Sequence, residues 1–401
     1  MQSNRALSSN ERQSKLAIGV AALLALGAIY VALQTNLRLS VLWLVGGALG
    51  FALYHAAFGF TGAYRTLFLS GRSDAVRAQM LMLAVAVLIF FPALDAGSVM
   101  GQPVRGFIFP AGIEVAIGAF LFGIGMQLGG GCASGTLYSA GGGDSRMVVT
   151  LVFFVAGMTI GAYDIDRWAD LPALPPISLP EHLGLWPALG LNLAAFALIA
   201  WTFARRERRL TGRVTPIFRR ADADFLSGPW PFAWAALALA LLNALTLVLA
   251  GRPWGITQAF ATWGSLVAEG TGVADPVWWG YWEDPTRVDL LHRPLVQDVT
   301  TLMNIGLIAG ACLAATLAGR FAPSWRIGWG PLFAAIIGGL LLGYGARMAF
   351  GCNISAFFSG VASGSLHGWL WIVAALPGNW LGIRLRPIFS LPVQVDRNNV
   401  P

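Results

Sequence analysis

Gly123-Ile124-Gly125-Met126-Gln127-Leu128-Gly129-Gly130-Gly131-Cys132 and Gly343-Tyr344-Gly345-Ala346-Arg347-Met348-Ala349-Phe350-Gly351-Cys352 are one pattern written twice. Each has a Gly-x-Gly pair, then Gly-Cys at the same offset, and then a serine, Ser139 or Ser359, again at the same offset. A second landmark also recurs: Phe58-Gly59-Phe60-Thr61-Gly62-Ala63-Tyr64 matches Trp254-Gly255-Ile256-Thr257-Gln258-Ala259-Phe260. With three cysteines in the chain, alignment of two of them by chance is improbable, and an internal repeat follows.

Working outward, both copies sit among long apolar runs. Of 401 residues, 56% are hydrophobic and 11% charged, against about 25% charged in a soluble domain. So few charges cannot cover a water-facing surface, so the solvent for most of the chain is lipid. A membrane helix needs about 20 apolar residues. Ten runs qualify, near 16–34, 40–57, 78–97, 111–128, 147–163, 186–204, 232–250, 298–318, 331–348 and 366–384. The net charge of +7 comes almost wholly from arginines in the intervening loops, densest at Arg205, Arg206, Arg208, Arg209, Arg213, Arg219 and Arg220. This is the positive-inside pattern and gives no indication of nucleic-acid binding. It places both termini in the cytoplasm, with Arg38 and Arg105 as exceptions, and the first run reads as a span rather than a cleaved signal.

Four apolar stretches, 58–69, 132–140, 254–268 and 352–362, are too short to span and are introduced by glycine-rich sequence. Irregular backbone at membrane depth is tolerated only inside protein or beside a water-filled cavity. The expected fold is therefore an all-α polytopic membrane protein, one domain over 1–401, with about ten transmembrane helices and four short non-spanning ones. Repeat 1 covers 40–164, a linking span and basic cytoplasmic loop cover 165–230, and repeat 2 covers 231–385. Equivalent spans lie five apart, and an odd separation makes the repeats inverted, which is characteristic of transporters.

The chemistry concentrates at the two cysteines. Gly130, Gly131 and Gly135 around Cys132, and Gly351 before Cys352, let backbone amides approach a ligand. A short helix starting at each cysteine turns free amides and a positive dipole end toward an anion. Ser134, Asn353 and Ser355 add donors, while Thr61, Thr257 and Gln258 sit in the other two short segments and either line the pore or hydrogen-bond to their own helix backbone. Arg347 and its repeat counterpart Gln127 stand five residues before the cysteines; the arginine either snorkels to the interface or balances an anion. Buried packing is the competing role for each cysteine, and Cys312, in an ordinary span without a repeat partner, reads as packing alone. Neither metal-ligand spacing nor a Walker-type phosphate loop occurs, so no metal, cofactor or catalytic residue is expected.

Gly129-Gly-Gly-Cys132-Ala-Ser-Gly135, Phe350-Gly-Cys352 and Arg252-Pro-Trp-Gly-Ile-Thr257 resemble the YeeE/YedE family of bacterial sulfur-transport membrane proteins over roughly residues 40–385. The resemblance implies an hourglass-shaped fold with short helices entering from both faces. It also implies an inner-membrane location, thiosulfate uptake in some members and selenium handling in others, and cysteine thiols that contact the substrate. The implied partners are a small sulfur-containing anion, the lipid bilayer and a separate cytoplasmic sulfur-carrier protein. In one respect the chain departs from the family: thiosulfate-carrying members have a further pore cysteine near the first short segment, and 58–69 has none. Two other functional classes remain open at this stage. One is a membrane thiol-redox or sulfur/selenium relay protein; the other is a structural subunit, which the four non-spanning segments disfavour.

Overall fold

A computed structural model describes residues 2–219 and 224–393; Arg220 and the last residues of the C-terminal tail lie outside them. Helices α1 (Gln2–Gln34), α2 (Leu37–Ala56), α3 (Phe60–Ser70), α4 (Asp74–Asp95), α5 (Ile113–Gly129), α6 (Ala133–Gly141) and α7 (Ser145–Tyr163) make up the first half. After α8 (Leu179–Leu183) and α9 (Leu185–Thr211) come α10 (Phe232–Ala250), α11 (Thr257–Gly270), α12 (Pro285–His292), α13 (Val299–Leu317) and α14 (Trp329–Met348). A π-helical turn (Asn353–Phe358) then runs into α15 (Ser359–Ala362), and α16 (Leu366–Leu385) closes the fold.

All ten expected spans and all four short segments are helical. Among the described residues, nine stretches are long and apolar enough to cross a membrane by composition. The tenth, α16, is diluted by His367, Pro377, Asn379 and its tryptophans and glycines, yet its 20 residues make a helix about 30 Å long. The protein is a multi-pass membrane protein. Two features were not anticipated from sequence: the short helices α8 and α12, and two small antiparallel strand pairs, Ser98–Val99 with Gln102–Pro103 and Ala111–Gly112 with Ala173–Leu174.

The two halves share an order: long, short, long, long, short, long. Their contacts exchange in pairs. Helix α2 packs on α13 and α4 on α10, while α5 packs on α16 and α7 on α14. The short helices follow suit: α3 meets α16 while α11 meets α7, and α6 meets α13 while α15 meets α4.

Glycines decide how closely these helices approach. A Cβ on Gly46 or Gly50 of α2 would lie 2.3 Å from Met303 O or 2.0 Å from Leu307 O of α13. Similarly, a Cβ on Gly378 of α16 would lie 2.1 Å from Phe120 O of α5. Lipid supplies little hydrophobic drive between helices, so close backbone packing of small residues takes its place.

Helix α9 is held at its basic end by one carboxylate. Glu207, buried, accepts from Ser73 N (3.2 Å) and Oγ (2.6 Å), from Thr215 N (3.1 Å) and Oγ1 (2.6 Å), and from Arg77 at 3.4 Å. It ties the 212–219 segment to the start of α4. Glu207→Ala leaves these donors buried without an acceptor and is expected to cost about 3 kcal/mol. A lowered melting temperature and faster tryptic cleavage at Arg213 are the expected readouts; unchanged values of both would refute the clamp.

Candidate functional site

Cys132 caps α6 and Cys352 caps the π-helical turn. Both are wholly buried and unpaired by disulfide. The turns before them need glycine: Gly130 has φ +98° and Gly351 has φ +145°. Close approach matters too, since a Cβ on Gly131 would stand 2.8 Å from Thr136 N. Cys132 Sγ lies 3.3 Å from Ser134 Oγ, and Thr136 Oγ1 donates to the Cys132 carbonyl at 2.8 Å. At the second site Cys352 N donates to Ser355 Oγ (3.0 Å) and Ile354 N donates to Cys352 Sγ (3.4 Å); Sγ and Ser355 Oγ are 3.6 Å apart. The thiols thus sit at two helix starts, and at the second of them the amides of Cys352 and Ile354 are taken up by Ser355 Oγ and Cys352 Sγ. Gly135 flanks Cys132, its Cβ direction pointing 3.6 Å from Sγ.

The other two short helices begin at the same place. Thr257, the first residue of α11, brings Oγ1 to 3.5 Å from Ser355 Oγ. The Phe60 ring at the start of α3 lies 6.3 Å from Phe357 in the π-helical turn. Tyr64 of α3 adjoins Asn353 and lies within electrostatic range of Cys132, as Cys132 does of Cys352. Four helix N-termini therefore meet around the two thiols.

Polar atoms at this centre lack partners. Thr61 Oγ1, Tyr64 OH and both amide atoms of Asn353 are buried without a hydrogen bond of full geometry. Native interiors leave few such atoms, and a cluster of them implies a missing water, ion or solute. Gln127, by contrast, is largely committed: Nε2 donates to Thr61 O (3.1 Å) and Asn379 Oδ1 (2.8 Å), joining α3, α5 and α16, and only its Oε1 is unpartnered. Cys312 is half-buried in α13 and has no counterpart near the thiol pair.

Arg347 does not snorkel. It is 6% exposed, holds its guanidinium 4.1 Å from the centre of the Tyr281 ring, and lines a cavity of about 960 Å³ that reaches Thr257, Gln258 and Ser355. The Tyr281 hydroxyl donates to Gln258 Oε1 at 2.8 Å. Arg38 and Arg105, the two arginines that run against the loop charge bias, line the same cavity, as does Arg252. Burial lowers the Arg252 pKa; Asp298 opposes that shift and nearby Arg105 adds to it. On the rim, the hydroxyl and amide of Thr286 hold the Asp284 carboxyl below its ordinary range. Among the described residues, no cluster of three or more His, Cys, Asp or Glu stands together to hold a metal. Sequence reasoning did not count Tyr64 as a site residue, and from sequence Tyr281 reads, with the tryptophans of 278–281, as part of an interfacial aromatic belt, whereas the structure buries it against Arg347. The signal for Tyr64 was present, because it closes the first landmark where the repeat has Phe260.

The family model described as sulphur transport matches residues 55–381, which include all four short helices and both cysteines. The chain belongs to this family. A probable transporter YedE from Escherichia coli K12 is 34% identical over 173 residues, covering 42% of this chain and 41% of the relative, so the chain spans about two fifths of that protein's length. The thiosulfate transporter TsuA of Spirochaeta thermophila is 29% identical over 361 residues, covering 84% of this chain and 96% of the relative. The TsuA of Escherichia coli K12 is 23% identical over 347 residues, covering 84% and 91%. The similarity to TsuA thus extends across both halves of this sulphur-transport family member.

Proposed function

We propose that this protein is a transporter, not an enzyme, and passes a small sulfur-containing anion, thiosulfate first, across the bacterial inner membrane. The observation that carries this reading is the convergence of four short-helix N-termini on two buried thiols and on unpartnered donors. Positive dipole ends suit an anion. A neutral S–H is a weak donor and sulfur is polarizable, which suits a soft anion that must bind and still leave. A thiolate would repel it. Successive weak sites favour passage over trapping.

The paired exchange of helix contacts supports two inverted repeats, 40–164 and 231–385, related by a pseudo-two-fold axis through the thiol pair. With the arginine-rich loops cytoplasmic, the cavity opens outward. The anion then moves from Arg347 past Thr257 and Ser355 to Cys352, on by Asn353, Tyr64 and Thr61 to Cys132 and Ser134, and so to the cytoplasm, where a separate sulfur-carrier protein would accept it.

Radiolabelled thiosulfate uptake in cells without their own sulfur transporters tests this. Cys132→Ala and Cys352→Ala are each expected to cut uptake at least about tenfold, equivalent to about 1.4 kcal/mol, at unchanged protein level. Full uptake by both variants would remove the thiols from the path. No uptake by the unaltered, folded protein would overturn thiosulfate as the substrate.

A further inference from the structure

A second pocket, of about 440 Å³, lies between the start of α4, the end of α9 and the start of α10, and shares no lining residue with the wide cavity. Three arginines line it, Arg72, Arg213 and Arg219, against one carboxylate, Asp74. Arg72 pairs with Asp74 at 2.7 Å, yet its Nε is buried without a hydrogen bond. Arg213 and Arg219 are exposed and, among the described residues, have no carboxylate within ion-pair distance. Trp230 and Phe232 form an apolar wall. That wall is braced, because Trp230 N donates to His55 O at 2.8 Å and the two rings stack at 5.8 Å. The opposite wall is fixed by Glu207, which accepts from Ser73 Oγ and Thr215 Oγ1 at 2.6 Å each. The segment around the pocket is unlike a water-facing loop. Phe218, Phe225 and Leu226 are 58%, 63% and 62% exposed, and Phe225 stacks on Trp230 at 5.2 Å. Apolar side chains interleaved with arginine belong at headgroup depth, where rings meet acyl chains and guanidinium meets phosphate.

We propose that this pocket binds the phosphodiester headgroup of an anionic phospholipid. Arg213 and Arg219 take the phosphate oxygens in their planar forks, and Arg72 brings a third charge and an unspent donor. Trp230 and Phe232 receive the glycerol and the first acyl carbons. The positive-inside bias sets this end of the bundle in the cytoplasmic leaflet, where basic pockets between helices hold such headgroups. A lipid fits better than a soluble phosphate. A soluble ion would leave Phe218, Phe225 and Leu226 in water, whereas a bilayer that supplies the headgroup also covers them. The site stands whichever solute crosses at the thiols.

Native mass spectrometry of the full chain in neutral detergent, titrated with phosphatidylglycerol, phosphatidylcholine or glycerol 3-phosphate, decides this. One phosphatidylglycerol should bind at least about tenfold tighter than phosphatidylcholine, whose choline cancels the charge the arginines read. Glycerol 3-phosphate, which has no acyl chains, should not displace it. Arg213→Gln combined with Arg219→Gln should erase the preference at an unchanged melting temperature, since both side chains are exposed. Arg208→Gln combined with Arg209→Gln removes the same charge from exposed positions of α9 outside the pocket and should keep the preference. Equal binding of the two lipids, or a preference that survives the loss of Arg213 and Arg219, would overturn the site. Equal losses in the two double variants would replace it with diffuse attraction to the basic end of α9. Displacement by glycerol 3-phosphate as readily as by lipid would make the ligand a soluble phosphate and overturn the lipid.

Discussion

Gly351→Ala is expected to yield a protein that folds and reaches the membrane but takes up at least about tenfold less thiosulfate, as the loss of about 1.4 kcal/mol at the binding step requires. Two effects add. At φ +145° an L side chain is strained by about 1–3 kcal/mol. In addition, the new Cβ would stand 2.2 Å from Ser355 Oγ and 3.0 Å from Ala356 N. Ser355 must move, and it is the residue that holds Cys352 N at 3.0 Å and contacts its Sγ at 3.6 Å. The helix start then loses its cap and the thiol its placement, while the long helices around it keep their contacts. The control is Gly62→Ala in α3, where a Cβ meets nothing within 4 Å. That change replaces a poor helix former with a good one and should leave uptake intact. Uptake of Gly351→Ala equal to that of Gly62→Ala would show that the Cys352 cap has no part in the path.

Gly343→Val is expected to abolish folded protein rather than activity. Helix α14 lies between α5 and α7 and turns glycines to both. A Cβ on Gly338 would come 2.2 Å from Gly129 N of α5, and one on Gly345 2.5 Å from Gly118 O. On the other side, a Cβ on Gly339 would lie 2.6 Å from Thr150 O, and one on Gly343 2.2 Å from Phe154 O and 2.4 Å from Met158 N. These obstacles are backbone, which cannot rotate away. Valine at 343 must push α7 off α14, at a cost beyond the about 3 kcal/mol of ordinary overpacking. Detergent-solubilised Gly343→Val should elute as aggregate, with no cooperative melt. A monodisperse protein with an unchanged melting temperature would mean that α7 and α14 are not packed in this way.

Much of this was legible in the sequence because membrane solvent enforces strong rules. Apolar runs of span length had to become helices, and stretches too short to span, such as 132–140, had to be sheltered ones. The match of Cys132 with Cys352 pointed to two short-helix starts, and each cysteine does stand at one. The glycine pairs four apart that carry close packing, Gly339 and Gly343 or Gly306 and Gly310, emerge only from the structure.

What the chain pattern left open was pairing. Lipid makes every apolar face equivalent, so nothing local tells α14 to choose α5 and α7 over its other neighbours. The fit of glycine backbones across the bundle decides that. The same holds at the site. Gln127 and Arg347 occupy equivalent positions, yet the first spends its amide nitrogen on Thr61 and Asn379 while the second faces a wide cavity over Tyr281. Arg38 and Arg105 looked like exceptions to a charge rule until the fold set them on that same wall. Composition and repeat determined the helices and the thiol pair. Only the tertiary structure decided which charges share a cavity, because charge acts through space between segments far apart in the chain.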